Sequence, residues 1–454
     1  MTLKTITLPA KPIPVIAETD VLVVGSGPGG LAAAISCART GVETMLIDRY
    51  GCFGGNLTHV GVEGIAWYRH EKTVDVEGIG IEFETRAKNM DAAYPEPQST
   101  SHAINTEMFK VLADRWVEEA GIKPLLHSYA VDAIVEDGQI KGIVVESKSG
   151  RGAILAKRVI DGTGDADIAC MVGAPVRKNP KEEMLSVTVM FSASGVDKKK
   201  FLGFVKENPT KYKDWGKNWD METTGKEDEL FSPYLEEPFD QARAKGIIPA
   251  GMKSIGGTWS GITDGGEATY LNMVHMLNYD GTDVWDLTHA EMEGRRQAML
   301  TIKALNHFAP GFDFAKLRNF GMTVGIRDTR KIIGRYNMTE NDVRHQARFE
   351  DSVGIFPEFI DGYGVLILPT TGRYFHIPYG AIVPQGIDNL LVAGRSIAGD
   401  NISHASVRNM MACTVAGQGA GVAAAVSLKT GKTTAEVDMG DVQVELKRQG
   451  VRIH

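Results

Sequence analysis

Residues 20–48 constrain this chain more than any other stretch. Asp20-Val21-Leu22-Val23-Val24-Gly25 is a short apolar run ending in glycine. Pro28 to Thr40 is rich in alanine, with Gly41 placed where a helix would stop, and Val42 to Asp48 is a second apolar run. Strand, glycine turn, helix and strand in about thirty residues make a βαβ unit, which requires a parallel sheet. The turn, Gly25-Ser26-Gly27-Pro28-Gly29-Gly30, fits GxGxxG through Gly25, Gly27 and Gly30. The first glycine permits the tight turn, the second lets a pyrophosphate approach the backbone, and the third lets helix pack closely on strand. Phosphates then sit at the helix N-terminus, where free N–H groups and the dipole favour negative charge. Asp48 ends the second strand, where a carboxylate can bond ribose hydroxyls. A purely structural glycine turn would not need that carboxylate, so the unit reads as a dinucleotide site.

The remaining texture predicts a discontinuous architecture. A helix is expected over 103–121, with Phe109, Leu112, Trp116 and Ala120 at helical spacing. Strands are expected over His127–Glu136, Gln139–Ser147 and Gly152–Val159, with a hairpin at Asp137-Gly138, where the turn needs positive φ. Val159 to Gly164 reads as a further strand ending in a glycine turn. From residue 176 the texture changes: Lys198 to Lys226 is charged and interrupted, with Trp215 and Trp219 inside it, Tyr270–Leu277 reads as a strand and Leu287–Ala309 as a long helix. Asn389 to Arg395 is again a buried strand, followed by a helix of small residues from Ser406 to Lys429 that stops at Gly431. The fold class is therefore α/β: a Rossmann-like nucleotide-binding domain in two parts, 1–175 and 369–454, with an α+β substrate or cap domain inserted over 176–368.

Composition excludes several functions. The chain has 454 residues, 43% apolar and 23% charged, which suits a folded protein of two or three domain-sized units. A formal net charge of −8 argues against a broad nucleic-acid or anionic-membrane surface. Cys37, Cys52, Cys170 and Cys413 form no CxxC pair, so no disulfide framework, metal site or dithiol couple is expected and a reducing compartment fits. The first 18 residues read as an extended lead-in, with Lys4, Lys11 and three prolines and no apolar targeting stretch. The apolar run Ala416–Val426 is too short to span a bilayer. We expect a cytoplasmic protein without nucleic-acid or membrane partners.

The glycine motif alone does not separate NAD from FAD. Three features favour FAD: the diglycine in Cys52-Phe53-Gly54-Gly55-Asn56 just after Asp48, the Thr163-Gly164-Asp165 turn, and Gly394-Arg395 feeding the small-residue helix. That helix could aim its N-terminus at the flavin N1/C2 region, where reduced flavin is negative. With Val159-Ile160-Asp161-Gly162-Thr163-Gly164-Asp165-Ala166-Asp167, Gly325 to Gly334, Ile377-Pro378-Tyr379 and Asn389 to Ala425, the chain resembles FAD-dependent oxidoreductases of the glutathione-reductase-type FAD fold. Among these it is most similar to a bacterial subgroup distantly related to fumarate-reductase flavoproteins. The resemblance implies bound FAD contacted by Gly25, Gly27, Gly30, Asp48, Arg49, Gly55, Asn56, Thr58, Ala130, Thr163, Gly164, Gly394, Arg395 and, less directly, Asp400. Two positions depart from the family: Gly380 stands where Tyr379 is often followed by arginine, and Ala166 stands where glycine is usual.

For proton transfer beside a flavin, His404 is the best-placed histidine, in the turn leading to the terminal helix, although a histidine there could equally bond backbone. Ser406 reads as a helix cap, and Arg408 near a helix N-terminus calls for an acid or an anionic ligand. His59 could face the other side of the flavin, and Tyr374, His376 and Tyr379 could line the joint between domains. Cys52 reads as a buried structural thiol. Arg327 and Arg330, on a helix, would share a face and either clamp an anionic substrate or pair with nearby acids. The expected activity is hydride transfer between a small organic substrate and flavin N5, with an external electron acceptor or donor. A flavin monooxygenase and an electron-relay subunit are the rivals. No second strand–GxGxxG–helix unit exists for NAD(P)H, and the fold class suggests a homodimer.

Overall fold

A computed structural model describes residues 4–65, 67–71, 73–215, 219–221 and 229–454. Residues 216–218 and 222–226 of the charged stretch, and the first three of the lead-in, lie outside these. The central sheet has seven strands. Its motif half is β1 (Val15–Val24), α1 (Pro28–Arg39) and β2 (Thr44–Ile47), followed by α2 (Thr106–Glu119) and β3 (Lys123–Leu125). A meander of β4 (Tyr129–Glu136), β5 (Gln139–Ser147) and β6 (Gly150–Asp161) completes it. β1 lies parallel between β2 and β6, and β2 lies parallel to β3. The parallel core strands are buried on both faces, which is why Val21–Val24 and Thr44–Ile47 are unbroken runs. At the β4–β5 hairpin Asp137 and Gly138 have φ of 50° and 72°, as a two-residue turn of this kind requires.

The two strands expected over 152–159 and 159–164 are one. β6 is long enough to pair antiparallel with β5 through Gly150–Leu155 and then parallel with Leu390–Val392 through Val159–Asp161. This single strand joins meander and nucleotide sheet.

The cap holds a second, six-stranded sheet. It is built from β7 (Val187–Thr188), β8 (Phe191–Ser194), β9 (Tyr234–Leu235), β10 (Ile255–Trp259), β11 (Glu267–Met276) and β12 (Lys316–Phe320), with α3 (Val284–Phe308) against it. Along β11, Leu271 and Met273 point into the cap core while Tyr270 and Asn272 point away. The two hydrophobic cores divide the chain differently from its texture. The cap core spans Val187 to Val324, whereas Ile332, Met338, Phe356, Phe359 and Val365–Leu368 pack into the nucleotide-domain core. The neck is the strand pair Val176–Lys178 and Arg330–Ile332, continued by hydrogen bonds from Ile332 to Ser396 and from Ile333 to Pro175. No change of composition marks that return.

After β13 (Leu390–Val392) the terminal helix is also divided. α4 (Asn401–Val407) and α5 (Met410–Thr430) are separated at Arg408-Asn409, in place of one helix from 406. α5 packs on α1 at very short range: a Cβ on Gly417 would stand 2.0 Å from the Gly29 carbonyl oxygen, and one on Gly421 2.2 Å from that of Ala33. Glycines four apart occupy one helix face, which explains Gly417 and Gly421. α5 is long and apolar enough to cross a membrane, but 94% of its apolar window is buried in this core.

Candidate FAD and substrate site

A cavity of about 810 Å³ runs from the glycine turn to the cap sheet. At the nucleotide end Gly25 has φ 94°, and a Cβ on Gly30 would stand 1.9 Å from the Gly25 carbonyl oxygen, so the turn and the α1 start must be bare. A Cβ on Gly27 would meet nothing within 4 Å, because that position faces open space. The first turn of α1 contains no acidic residue and no side chain caps it, which leaves its N–H groups for an anion. The diglycine loop closes over this cradle: Gly54 N–H donates to the Ser26 carbonyl at 2.9 Å, and a Cβ on Gly55 would lie 2.4 Å from Gly27 Cα. Asp48 is anchored to the turn, accepting from Ser26 N–H at 2.8 Å, Ser26 Oγ–H at 2.5 Å and Tyr50 N–H at 2.8 Å. A carboxylate offers about four acceptor positions, so one remains for a ribose hydroxyl.

Deeper in the cavity, Asn409, Met410, Met411 and Cys413 present the α5 N-terminus to the same space. That helix has no acidic residue in its first turn and no side-chain cap, so its positive end is open toward the cavity. Two backbone-lined anion cradles at opposite ends of one elongated cavity fit a ligand with a pyrophosphate at one end and a ring that becomes anionic at the other.

The profile described as FAD dependent oxidoreductase matches residues 20–446. The chain belongs to this family. FAD is accordingly the cofactor of this flavoenzyme, and the cradle, Asp48 and the α5 terminus are the groups that would hold it. The flavoenzyme is similar to the thiamine thiazole synthases of Methanococcus vannielii, 34% identical over 174 residues, and Methanococcus aeolicus, 30% identical over 173 residues. Each match covers 36% of this chain and 61% and 60% of those proteins respectively, so the chain spans about three fifths of the length of these relatives. Among solved structures, a geranylgeranyl bacteriochlorophyll reductase-like protein from Thermoplasma acidophilum superimposes with a TM-score of 0.47 at 14% identity, covering 96% of this chain and 85% of that one.

Of the residues expected around FAD, Gly25, Gly27, Gly30, Asp48, Arg49, Gly55, Asn56, Ala130, Thr163, Gly164, Gly394 and Arg395 all line the cavity. Thr58 does not. It lies in a π-helical turn, Asn56–Val60, with its hydroxyl donating to the Phe53 carbonyl at 2.7 Å. Asp400 does not line it either, because it caps α4 by accepting from Ser403 N–H and also accepts from Glu340 N–H, each at 2.8 Å. The Thr163 hydroxyl is spent on Asp161 at 2.6 Å, so Thr163 faces the cavity through its backbone. Ala166, in the usual glycine position, adopts φ 53°, the left-handed conformation glycine would supply.

The expected proton-transfer groups are redistributed. His404 lies inside α4, fully buried and outside the cavity lining, with Nε2 3.0 Å from the Arg327 carbonyl. Burial, with Lys331 adding to it, pushes its imidazole down to about 3. Tyr379 is likewise removed from the cavity, its hydroxyl donating to the Thr434 carbonyl at 2.5 Å. His376 bonds the backbone of Phe349 at 3.1 Å, and Tyr374 stacks on that ring, away from the site. His59 does line the cavity. Its Nε2 is held by the Cys52 carbonyl at 2.8 Å, its ring packs on Tyr50 at 4.4 Å, and burial lowers its pKa. Cys52 is a buried free thiol. Ser406 does not cap a helix, since α5 begins at Asn409.

Arg408 lines the cavity as the residue closing α4, where the helix dipole favours a cation, and it pairs with Asp361 at 3.3 Å. Arg327 and Arg330 are not on a helix. Arg330 pairs with Asp167 at 2.7 Å, whereas Arg327 turns into the cavity. The Arg327 guanidinium donates to the Ser186 carbonyl at 3.0 Å and reaches Asn272 Oδ1 at 3.5 Å; among the described residues it has no carboxylate within 4 Å. Burial, then repulsion from Arg408, brings it down to about 10. The partners the sequence reading missed are the cap-sheet residues Tyr270, Asn272 and His275. The polar–apolar alternation along β11 contained the signal, but only the facing domain shows which side meets the cavity.

Proposed function

We propose that this flavoenzyme is a dehydrogenase or reductase that moves a hydride between flavin N5 and a small organic substrate bearing an anionic group. The observation that carries this reading is Arg327: a half-buried cation whose hydrogen-bond partners are neutral, beside the Arg408–Asp361 pair, in a cavity that also contains the α5 N-terminus. A guanidinium that faces a cavity without a carboxylate of its own favours an anionic ligand, and two guanidiniums together suit a carboxylate or phosphate. Bound FAD would supply the two-electron chemistry. Asn272 and Tyr270 from β11 would orient the substrate, and the cap sheet would exclude water. A separate electron acceptor or donor is required, since the sequence holds one dinucleotide motif. The motifs at 159–167, 325–334 and 389–425 support a place in the subgroup distantly related to fumarate-reductase flavoproteins.

An anaerobic bleaching screen of the yellow protein tests the reading, with hydroxy acids and unsaturated acids set against neutral alcohols, enones and sugars. Bleaching by an acid and not by its amide or ester is the expected result. Bleaching by neutral compounds alone would remove the anionic substrate, and oxygen uptake coupled to hydroxylation would select a monooxygenase.

A further inference from the structure

Two carboxyls are buried together behind the cavity wall, beside the cap sheet. Glu63 is satisfied, accepting from the Tyr94 hydroxyl at 2.5 Å, the Thr269 hydroxyl at 2.7 Å and Thr106 N–H at 3.1 Å. Glu96 is not. It is 5% exposed, and among the described residues neither carboxyl oxygen has a partner in full hydrogen-bond geometry. Gln98 and Ser260 lie against it as neutral donors that favour its charged form, too poorly aligned to make full hydrogen bonds. A Cβ on Gly64 would stand 2.8 Å from Glu96 Oε1 and 3.4 Å from the Tyr270 hydroxyl, so carboxyl and phenol converge on that glycine. Gly64, Gln98 and Tyr270 themselves form the cavity wall.

Among the described residues the ionisable groups facing Glu96 are Glu63 in the loop after the 56–60 turn, Tyr94 on the strand that leads into Glu96, Tyr212 and Tyr270, and none of these is a cation. An anion so placed is disfavoured by burial, and then by Glu63, so Glu96 keeps its proton up to about 7. Among the described residues Glu96 has only the neutral Gln98 and Ser260 beside it and no cation to pair with, so it belongs to no ion pair of the fold. Beside a redox cavity it is placed for proton exchange.

We propose that Glu96 stores the proton for this site and that Tyr270 passes it between Glu96 and the bound substrate. When a substrate hydroxyl is oxidised, its O–H bond breaks, the electron pair stays on the substrate oxygen, and the proton moves to the Tyr270 oxygen. The phenol's own proton moves to Glu96 Oε1. In reduction both transfers reverse. The accompanying hydride is the part assigned above to FAD, and in that respect the inference rests on the proposed function. Tyr270 is the group that touches substrate, and Glu96 acts through it.

The test uses the FAD-loaded full-length protein with Glu96→Gln, Glu96→Asp and Tyr270→Phe variants. Infrared spectra followed from about pH 5 to about pH 9 should show a protonated-carboxyl band that titrates near 7 and is missing in Glu96→Gln. With the best acid from the bleaching screen, wild-type oxidation should rise with pH through about 7, since the proton acceptor must be ionised. Glu96→Gln should lose that limb and bleach at least tenfold more slowly above it, while Glu96→Asp restores a titrating limb. Tyr270→Phe should bleach at least tenfold more slowly at every pH under saturating substrate, a larger loss than any change in its half-saturating concentration. A Glu96 band titrating in the ordinary glutamate range, or an unchanged pH profile in Glu96→Gln, overturns the proposal. If nothing bleaches the flavin, the hydride-transfer reading fails separately, and the infrared titration still decides the state of Glu96.

Discussion

A Cβ on Gly27 would meet nothing within 4 Å, whereas one on Gly417 would stand 2.0 Å from a backbone oxygen of α1. Gly27→Val should therefore fold with nearly the thermal stability of FAD-depleted wild type and purify colourless, since its side chain enters the space where pyrophosphate would lie. Gly417→Val should lose about 3 kcal/mol or more by forcing α1 and α5 apart. Melting temperature and flavin-to-protein ratio separate the two. Arg327→Gln removes a half-buried charge that makes no ion pair, so the ligand-free protein should be about as stable as wild type. Its half-saturating concentration of acid substrate should rise at least tenfold, about 1.4 kcal/mol. His404 has a clear pH consequence. Its folded-state pKa of about 3 lies below the unfolded value of 6.5, so the neutral form is favoured by folding. The stabilisation is complete above pH 6.5 and drains away as pH falls toward about 3. His404→Gln should keep more of its neutral-pH stability at pH 5 than wild type does, measured by denaturant titration at both pH values.

At the scale of elements, Asp400 shows how a residue near a cofactor can serve the scaffold. Because it caps α4 and ties Glu340 to it, Asp400→Ala should cost about 1–2 kcal/mol while leaving FAD content unchanged. Loss of flavin at equal stability would return Asp400 to the cofactor. What could be read from the chain follows the range of the forces involved. β5 matches its expected bounds because the Asp137-Gly138 turn and the alternation beyond it are local. The βαβ unit was legible for the same reason. The break at Arg408-Asn409 was not, since it carries no glycine or proline and depends on Asn409 Nδ2 bonding the Ser406 carbonyl at 2.7 Å and on Arg408 reaching Asp361. Arg327 and Arg330 looked like helix neighbours by spacing. Tertiary partners pull that segment straight: Thr329 bonds Asp165 at 2.7 Å and Arg330 pairs with Asp167. Gly25, Gly27, Gly30 and Asp48 could be picked out because the turn dictates them and the other eight cavity residues came from the family resemblance, whereas His404 and Tyr379 could not be excluded, since only burial shows that they face elsewhere.

For the molecule as a whole, two hydrophobic cores flank one cavity, and few apolar side chains bridge them. A ligand spanning that gap couples their unfolding. Scanning calorimetry of FAD-depleted protein should resolve a separate, earlier transition for the cap, and saturating FAD should merge the two. Free FAD at a hundredfold excess over its dissociation constant should add about 2.7 kcal/mol. A single transition of unchanged width in both forms would show that the neck alone couples the cores.

The sheet that grips the nucleotide is finished by Leu390–Val392 on β6, and the α1 face is covered by α5 from the far end of the chain. A ribosome therefore releases the motif turn long before it releases the strand and helix that hold that turn in shape. Cofactor capture must wait until residues 390–430 have been made, and a chain truncated before residue 390 should emerge from the cell without colour however much riboflavin is supplied.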